Sequence, residues 1–284
     1  MRGFALLHRS RRVAVAVAAL ALVLVAGGVA LAAGTPAIQT ITPRHAADIT
    51  NLDVLRQQIR NYYGDPLGTG VFADDSNYAK EASGVARKGE QYLWQRAHDW
   101  WWHPHGIKAI VLDVDDTSLA TWNYEIFSNW AYNFTTNSQF VMNQEFPAVP
   151  GMVELANKAK SWGYAVFWIT GRGSAQEAAT LGNLTSDGIG VDAGFPNPTT
   201  LNDGEDGLFT KPAVANYPDY LKTACAGDPN GGTCTTIHYK SATRQHIESL
   251  GYDIVANFGD QYSDLKGGFA DRTFKMPNPN YYLP

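Results

Sequence analysis

Ile107-Lys108-Ala109-Ile110-Val111-Leu112 runs directly into Asp113-Val114-Asp115-Asp116-Thr117. Lys108 apart, the first six residues are apolar and mostly β-favouring. Such an unalternating run is the signature of a strand covered on both faces, as in a parallel sheet. The acids begin where that strand ends. Ligands of open α/β sheets bind beyond the carboxyl ends of the strands, so the residues after each apolar run are the ones to read.

Three further runs are expected to be strands: Tyr164–Ile169, Thr235–Tyr239 and Asp253–Phe258. Thr170-Gly171-Arg172-Gly173 follows the first, Lys240 the second, and Gly259-Asp260-Gln261-Tyr262-Ser263-Asp264 the third. Helical stretches separate them, at about Gly151–Trp162, Ser174–Ser186 and Ser241–Leu250. This alternation argues for a doubly wound, Rossmann-like α/β domain on a parallel sheet. Two helices precede it. Thr50 and Asp53 suggest a capping box for one running to Tyr62, and a second is expected from Ser76 to about Asp99 despite Gly84 and Gly89. Trp100-Trp101-Trp102 are expected to cover the core edge.

The strand ends then supply carboxylates, a hydroxyl, a cation and more carboxylates. Asp113 and Asp115 are two apart and can both turn into one pocket, one as nucleophile and the other as general acid/base. Asp113 with Asp260 and Asp264 offers hard oxygen ligands, which suit Mg²⁺ rather than Zn²⁺. Thr170 and the free N–H groups that follow it, beginning at Gly171, suit a phosphate oxygen, and Lys240 adds a point charge. Asp116 fits a loop-holding role and stays outside this set. A calcium loop starting at Asp113 fails, because Ser118 and Tyr124 stand where glycine and glutamate are required. No Walker pattern or nucleophile elbow is present.

Composition narrows the class. The chain has 284 residues, with 22 Lys+Arg against 27 Asp+Glu. Residues 1–33 hold four arginines and no acid, so the remainder carries 18 bases against 27 acids, near −9. Such a body is a poor match for a nucleic-acid backbone. The basic head and the apolar run from Val13 to Ala33 read as a signal peptide cut after Ala32, with an uncleaved N-terminal anchor as the alternative. Cleavage leaves no membrane attachment, and either way the body is exported, secreted or on the outer face of a membrane. Residues 33–49 are a linker, and one domain fills 50–284. Cys225 and Cys234 flank a turn-rich loop, and in an oxidising compartment they are expected to pair; two free thiols are the alternative.

Taken together, these motifs resemble those of the haloacid-dehalogenase-like phosphatases: D-x-D-x-T at Asp113–Thr117, Val166–Thr170, Tyr239-Lys240-Ser241 and Gly259–Leu265. Ile169–Arg172, Gly259-Asp260-Gln261 and Lys275-Met276-Pro277-Asn278-Pro279 resemble, more narrowly, the secreted class B-like acid phosphatases, a group that includes plant vegetative storage proteins. The resemblance implies a Mg²⁺-dependent acid phosphatase acting on small phosphate monoesters. Asp113 would carry an aspartyl-phosphate and Asp115 would serve as acid/base. Thr170 and Lys240 would hold the phosphoryl oxygens, and Asp113, the carbonyl of Asp115, and Asp260 with Asp264 nearby would bind the metal. A cap insertion at about 118–150 would roof the site, with Trp122 or Tyr124 touching the leaving group; the alternative is that these aromatics pack a small cap core. Some storage-protein relatives lack the nucleophile, so a non-catalytic storage or binding protein is the runner-up, and a phosphotransferase differs only in what attacks the intermediate.

Overall fold

The computed structural model describes residues 42–99, 105–185, 188–201 and 204–283. The leader at 1–32, most of the linker and Trp100-Trp101-Trp102 lie outside them. The chain divides into two units, 1–49 and 50–284. Among its described residues the first has a 3₁₀ turn at Ala46–Asp48; the second carries the fold. No helix among the described residues is long and apolar enough to cross a membrane.

Two helices lead in. In α1 (Leu52–Tyr62) the cap is Asn51, one residue after the expected Thr50. Its side-chain oxygen accepts from the N–H groups of Asp53 (3.0 Å) and Val54 (3.2 Å), satisfying two donors that a helix start leaves free. Ser76 caps α2 (Asn77–His98) as expected. Gly89 of that helix is a packing residue: a Cβ there would lie 2.5 Å from the Phe258 ring, so the missing side chain lets the helix approach the sheet.

The α/β layer follows in chain order: β1 (Ile107–Leu112), α3 (Trp122–Ser128), α4 (Phe134–Met142), α5 (Met152–Ser161), β2 (Ala165–Gly173), α6 (Glu177–Leu184), β3 (Leu208–Lys211), α7 (Asp219–Ala224), α8 (Thr236–Ser249), β4 (Tyr252–Gly259), α9 (Tyr262–Leu265) and β5 (Arg272–Lys275). The sheet order is β3-β2-β1-β4-β5, with every pairing parallel. β1 is central and the winding reverses beside it, which places the crevice of a doubly wound sheet at the ends of β1 and β4.

Alternation along the strands builds two cores. Ile110, Leu112, Val166 and Trp168 pack with Leu93 of α2 and Leu155 and Ala156 of α5. Ala109, Val111, Phe167 and Ile169 pack with Leu221 of α7 and Ala242 and Ile247 of α8. Both faces are covered, which explains the unalternating hydrophobicity of β1.

One expected strand is a helix. Thr235–Tyr239 is not extended; the Thr235 hydroxyl accepts from the His238 N–H at 3.2 Å and caps α8, which runs unbroken through the segment. A short apolar run does not by itself separate strand from helix, and the capping threonine decides here. The four-residue edge strands β3 and β5 were not expected from the sequence. Cys225 and Cys234 form a disulfide, with Cα atoms 4.9 Å apart, closing the loop between α7 and α8. The Lys211 ammonium donates to the Cys234 carbonyl at 2.7 Å, tying that closed loop to β3.

Candidate active site

Asp113 stands one residue beyond β1. Its N–H donates to the Phe258 carbonyl (3.0 Å), and its carbonyl accepts from the Ser118 hydroxyl (2.7 Å), so its backbone is held between the two central strands and the loop. That loop turns tightly through Asp116, whose φ of 53° is left-handed. The Asp116 carboxylate accepts from the Thr121 N–H (3.0 Å) and hydroxyl (2.7 Å), the loop-holding role expected for it.

Lys240 comes from α8 rather than from a strand end, yet it reaches the same place. Its ammonium donates to Asp113 at 2.5 Å and to Asp264 at 2.6 Å, with all three side chains buried. Asp264 lies on α9 and also accepts from the Gln261 N–H at 2.7 Å. Gly259 makes room for it: a Cβ there would sit 2.4 Å from that of Asp264. Asp260, just after β4, is buried and accepts on one oxygen from Gln261 and Asn278, each at 2.7 Å. Asp113, Asp260 and Asp264 each offer an oxygen within 4.8 Å of the others.

Two of these three buried carboxylates, Asp113 and Asp264, bond the Lys240 ammonium, and the electrostatics follow. Burial pushes the Asp113 carboxyl up; Lys240 pulls it down, Asp264 and Asp115 push it up again, and it settles at about 7. Burial, then Asp264 and Asp113, raise Asp260 well above the usual carboxylate range. Burial works against the Lys240 ammonium, but Asp113 and Asp264 outweigh it and keep it protonated. A site with this surplus of buried negative charge, made of hard oxygen donors, fits a divalent cation.

Asp115 lies apart from this cluster, with its side chain about one-third exposed. Arg172 holds it: Nη2 donates to Oδ1 at 2.7 Å, and Nε lies 3.2 Å from both carboxylate oxygens. Thr170 is fully buried inside β2, which runs past the expected end at Ile169 to Gly173, and its hydroxyl accepts from the Arg172 N–H at 3.2 Å. Gly171 is exposed, with open space where a Cβ would stand.

Trp122 and Tyr124 do not open onto this site. Trp122 is 0% exposed, stacked on Tyr63 at 4.1 Å and donating to Asp65 at 3.0 Å. Tyr124 is 1% exposed, its hydroxyl donating to the Asn133 carbonyl. Trp122 thus packs against the segment after α1, and Tyr124 within the insertion, as the alternative reading of these aromatics has it. Phe127, Tyr132 and Phe134 are the exposed aromatics of that segment. Arg172, Gln261 and Asn278 had no role assigned from sequence, although all three fall inside the quoted motifs. Their place within those motifs was the available signal.

Residues 32–284 match the sequence profile described as HAD superfamily, subfamily IIIB (acid phosphatase). The chain belongs to this family. The stem 28 kDa glycoprotein of Glycine max is 28% identical over 184 residues (63% of this chain, 61% of that protein). Acid phosphatase 1 of Solanum lycopersicum is 31% identical over 183 residues (63% and 60%). Vegetative storage protein 1 of Arabidopsis thaliana is 48% identical over a 56-residue stretch (20% and 21%). The chain thus spans about three-fifths of the length of the first two. Among solved structures, the class C acid phosphatase from Bacillus anthracis shares the fold, with a TM-score of 0.53 and 18% identity over 80% of this chain and 86% of that one.

Proposed function

We propose that this chain is an exported, Mg²⁺-dependent acid phosphatase that hydrolyses small phosphate monoesters through an aspartyl-phosphate on Asp113. The observation that carries the reading is the convergence of Asp113, Asp260 and Asp264 within 4.8 Å, with Lys240 bonded to Asp113. Family membership supports the reaction class. The disulfide and the basic, apolar leader support export.

Asp113 acts as nucleophile. A carboxylate oxygen forms a bond to phosphorus while the ester P–O bond breaks, and Asp115 gives its proton to the departing alkoxide. Water then attacks phosphorus, losing its proton to Asp115; the acyl-phosphate bond breaks and inorganic phosphate leaves with Asp113 regenerated. Thr170, the N–H of Gly171 and Lys240 bind the phosphoryl oxygens, so negative charge that develops in flight meets fixed donors. Asp113 and Asp260, with Asp264 beside them and the carbonyl of Asp115, would hold Mg²⁺, whose charge offsets repulsion between these carboxylates and an anionic substrate. Lys240 holds the nucleophile's orientation before substrate arrives.

The similarity to a vegetative storage protein motivates a second reading, a non-catalytic storage or binding protein on this fold. Asp113, Asp115, Thr170, Lys240 and Asp260 standing intact together favour the enzyme. The test is phosphate release from p-nitrophenyl phosphate by the full chain, with MgCl₂ and with EDTA, beside Asp113→Asn. Metal-dependent release that vanishes in the variant is expected. Release by neither protein at any pH would give the storage reading.

A further inference from the structure

The C-terminal segment after β5 returns to the mouth of the carboxylate cluster and is stitched there. The Leu283 N–H donates to the Gln261 side-chain oxygen (3.1 Å), and the Ser263 hydroxyl donates to the Leu283 carbonyl (3.2 Å). Asn278 is fully engaged. Its amide donates to Asp260 at 2.7 Å and lies 3.4 Å from Asp116, while its oxygen accepts from the Asn280 N–H at 2.8 Å.

The chemistry of the donors separates the two kinds of acid in this site. Asp115 is held by a guanidinium, which places positive charge beside it. Asp260 is held by two neutral amides, Asn278 and Gln261, on one and the same oxygen, Oδ2. Amide donors fix the plane of a carboxylate without supplying positive charge. The other oxygen, Oδ1, has the Thr117 hydroxyl at 3.5 Å, a third neutral donor. Lysine or arginine in the place of Asn278 would supply positive charge instead. Outer partners of this kind typically carry 10- to 100-fold of metal affinity.

We infer that Asn278, with the C-terminal segment that presents it, is a positioning residue for the metal ligand Asp260, so that docking of this segment and binding of Mg²⁺ are coupled. The inference rests on the metal reading proposed above. Coupling is reciprocal: Mg²⁺ holds the segment down, and the segment tightens Mg²⁺.

The test uses the full chain stripped of metal, titrated calorimetrically with MgCl₂, and its backbone hydrogen exchange with and without MgCl₂. Wild type is expected to bind Mg²⁺ and to slow exchange at Asn280–Leu283 on binding. Asn278→Ala is expected to bind about 10- to 100-fold more weakly and to lose that slowing. Its half-saturating Mg²⁺ for hydrolysis should rise by the same factor, while kcat at saturating Mg²⁺ falls far less. Gln261→Met removes the other amide and decides the matter if circular dichroism shows Asn278→Ala unfolded. Variants that bind Mg²⁺ within twofold of wild type would overturn the inference and leave the metal reading standing. A wild type that binds no Mg²⁺ would overturn both.

Discussion

Arg172 clasps Asp115: one guanidinium nitrogen lies 2.7 Å from a carboxylate oxygen, and a second lies 3.2 Å from both. The guanidinium is in turn fixed from behind. Its remaining nitrogen donates to Thr180 at 3.1 Å, and its carbon sits 5.3 Å over the Phe146 ring. Asp115, the most exposed of the site acids, is thereby held in place by a buried side chain from the next strand.

In the proposed mechanism, that clasp makes Arg172 a positioning residue for the acid/base Asp115. Lysine keeps the charge but loses the planar fork, so Arg172→Lys is expected to lower kcat about 10- to 100-fold, the cost of a misplaced catalytic group. The loss should be larger for an alkyl phosphate, whose leaving group needs the proton, than for p-nitrophenyl phosphate. Steady-state rates on both substrates check this, and equal losses would show that Asp115 does not act through this contact.

Lys240 bridges Asp113 and Asp264, and removing it strips both buried carboxylates of their ion-pair partner. Breaking a buried ion pair by deleting one partner costs about 3–5 kcal/mol. Lys240→Met is therefore expected to lower Tm by many degrees in metal-free protein, and MgCl₂ is expected to restore more of that loss than it adds to wild-type Tm. Thermal melts of both proteins with and without MgCl₂ measure it.

Glu125 of α3 is buried, and burial first, then the nearby Asp116, pushes its carboxyl up to about 8. Its folded pKa exceeds its unfolded value, so the folded state binds this proton more tightly. The resulting stabilisation is full below the unfolded value near 4.5 and is lost as pH rises toward 8. Glu125→Gln removes that dependence. The variant is expected to gain Tm relative to wild type between pH 5 and about 8, with no gain at pH 4, as a pH series of melts would reveal.

The disulfide closes the loop that leads into α8, the helix carrying Lys240. A bridge over so short a loop contributes about 2–3 kcal/mol. Cys225→Ala with Cys234→Ala is expected to lower Tm by that equivalent while leaving kcat within a few-fold, because Lys240 lies beyond the Thr235 cap and is anchored by its own ion pairs. Chemical denaturation and steady-state kinetics of the double variant test both parts.

What could be read from the sequence divides along a physical line. β1 and the acids after it were legible because a strand buried on both faces writes itself as a continuous apolar run, and because chemistry at its end is local in sequence. Lys240 lies on a helix rather than after a strand, since Ile237 and Tyr239 suit a strand or a buried helix face equally. β3 and β5 escaped because short edge strands lack a run long enough to recognise. The burial of Trp122 is not legible locally because it depends on Tyr63 and Asp65, distant in the chain. Arg172 and Asn278 carried no legible role for the same reason: each acts on a carboxylate brought to it only by folding.

The central claim is the covalent intermediate on Asp113, and trapping it is the most direct measurement. The full chain is mixed with p-nitrophenyl phosphate and MgCl₂, quenched in acid within the turnover time, digested and mapped by mass spectrometry. One phosphoryl group on the peptide carrying Asp113, absent from Asp113→Asn, is the expected result. A phosphoryl group on any other residue, or undiminished turnover by Asp113→Asn, would contradict it.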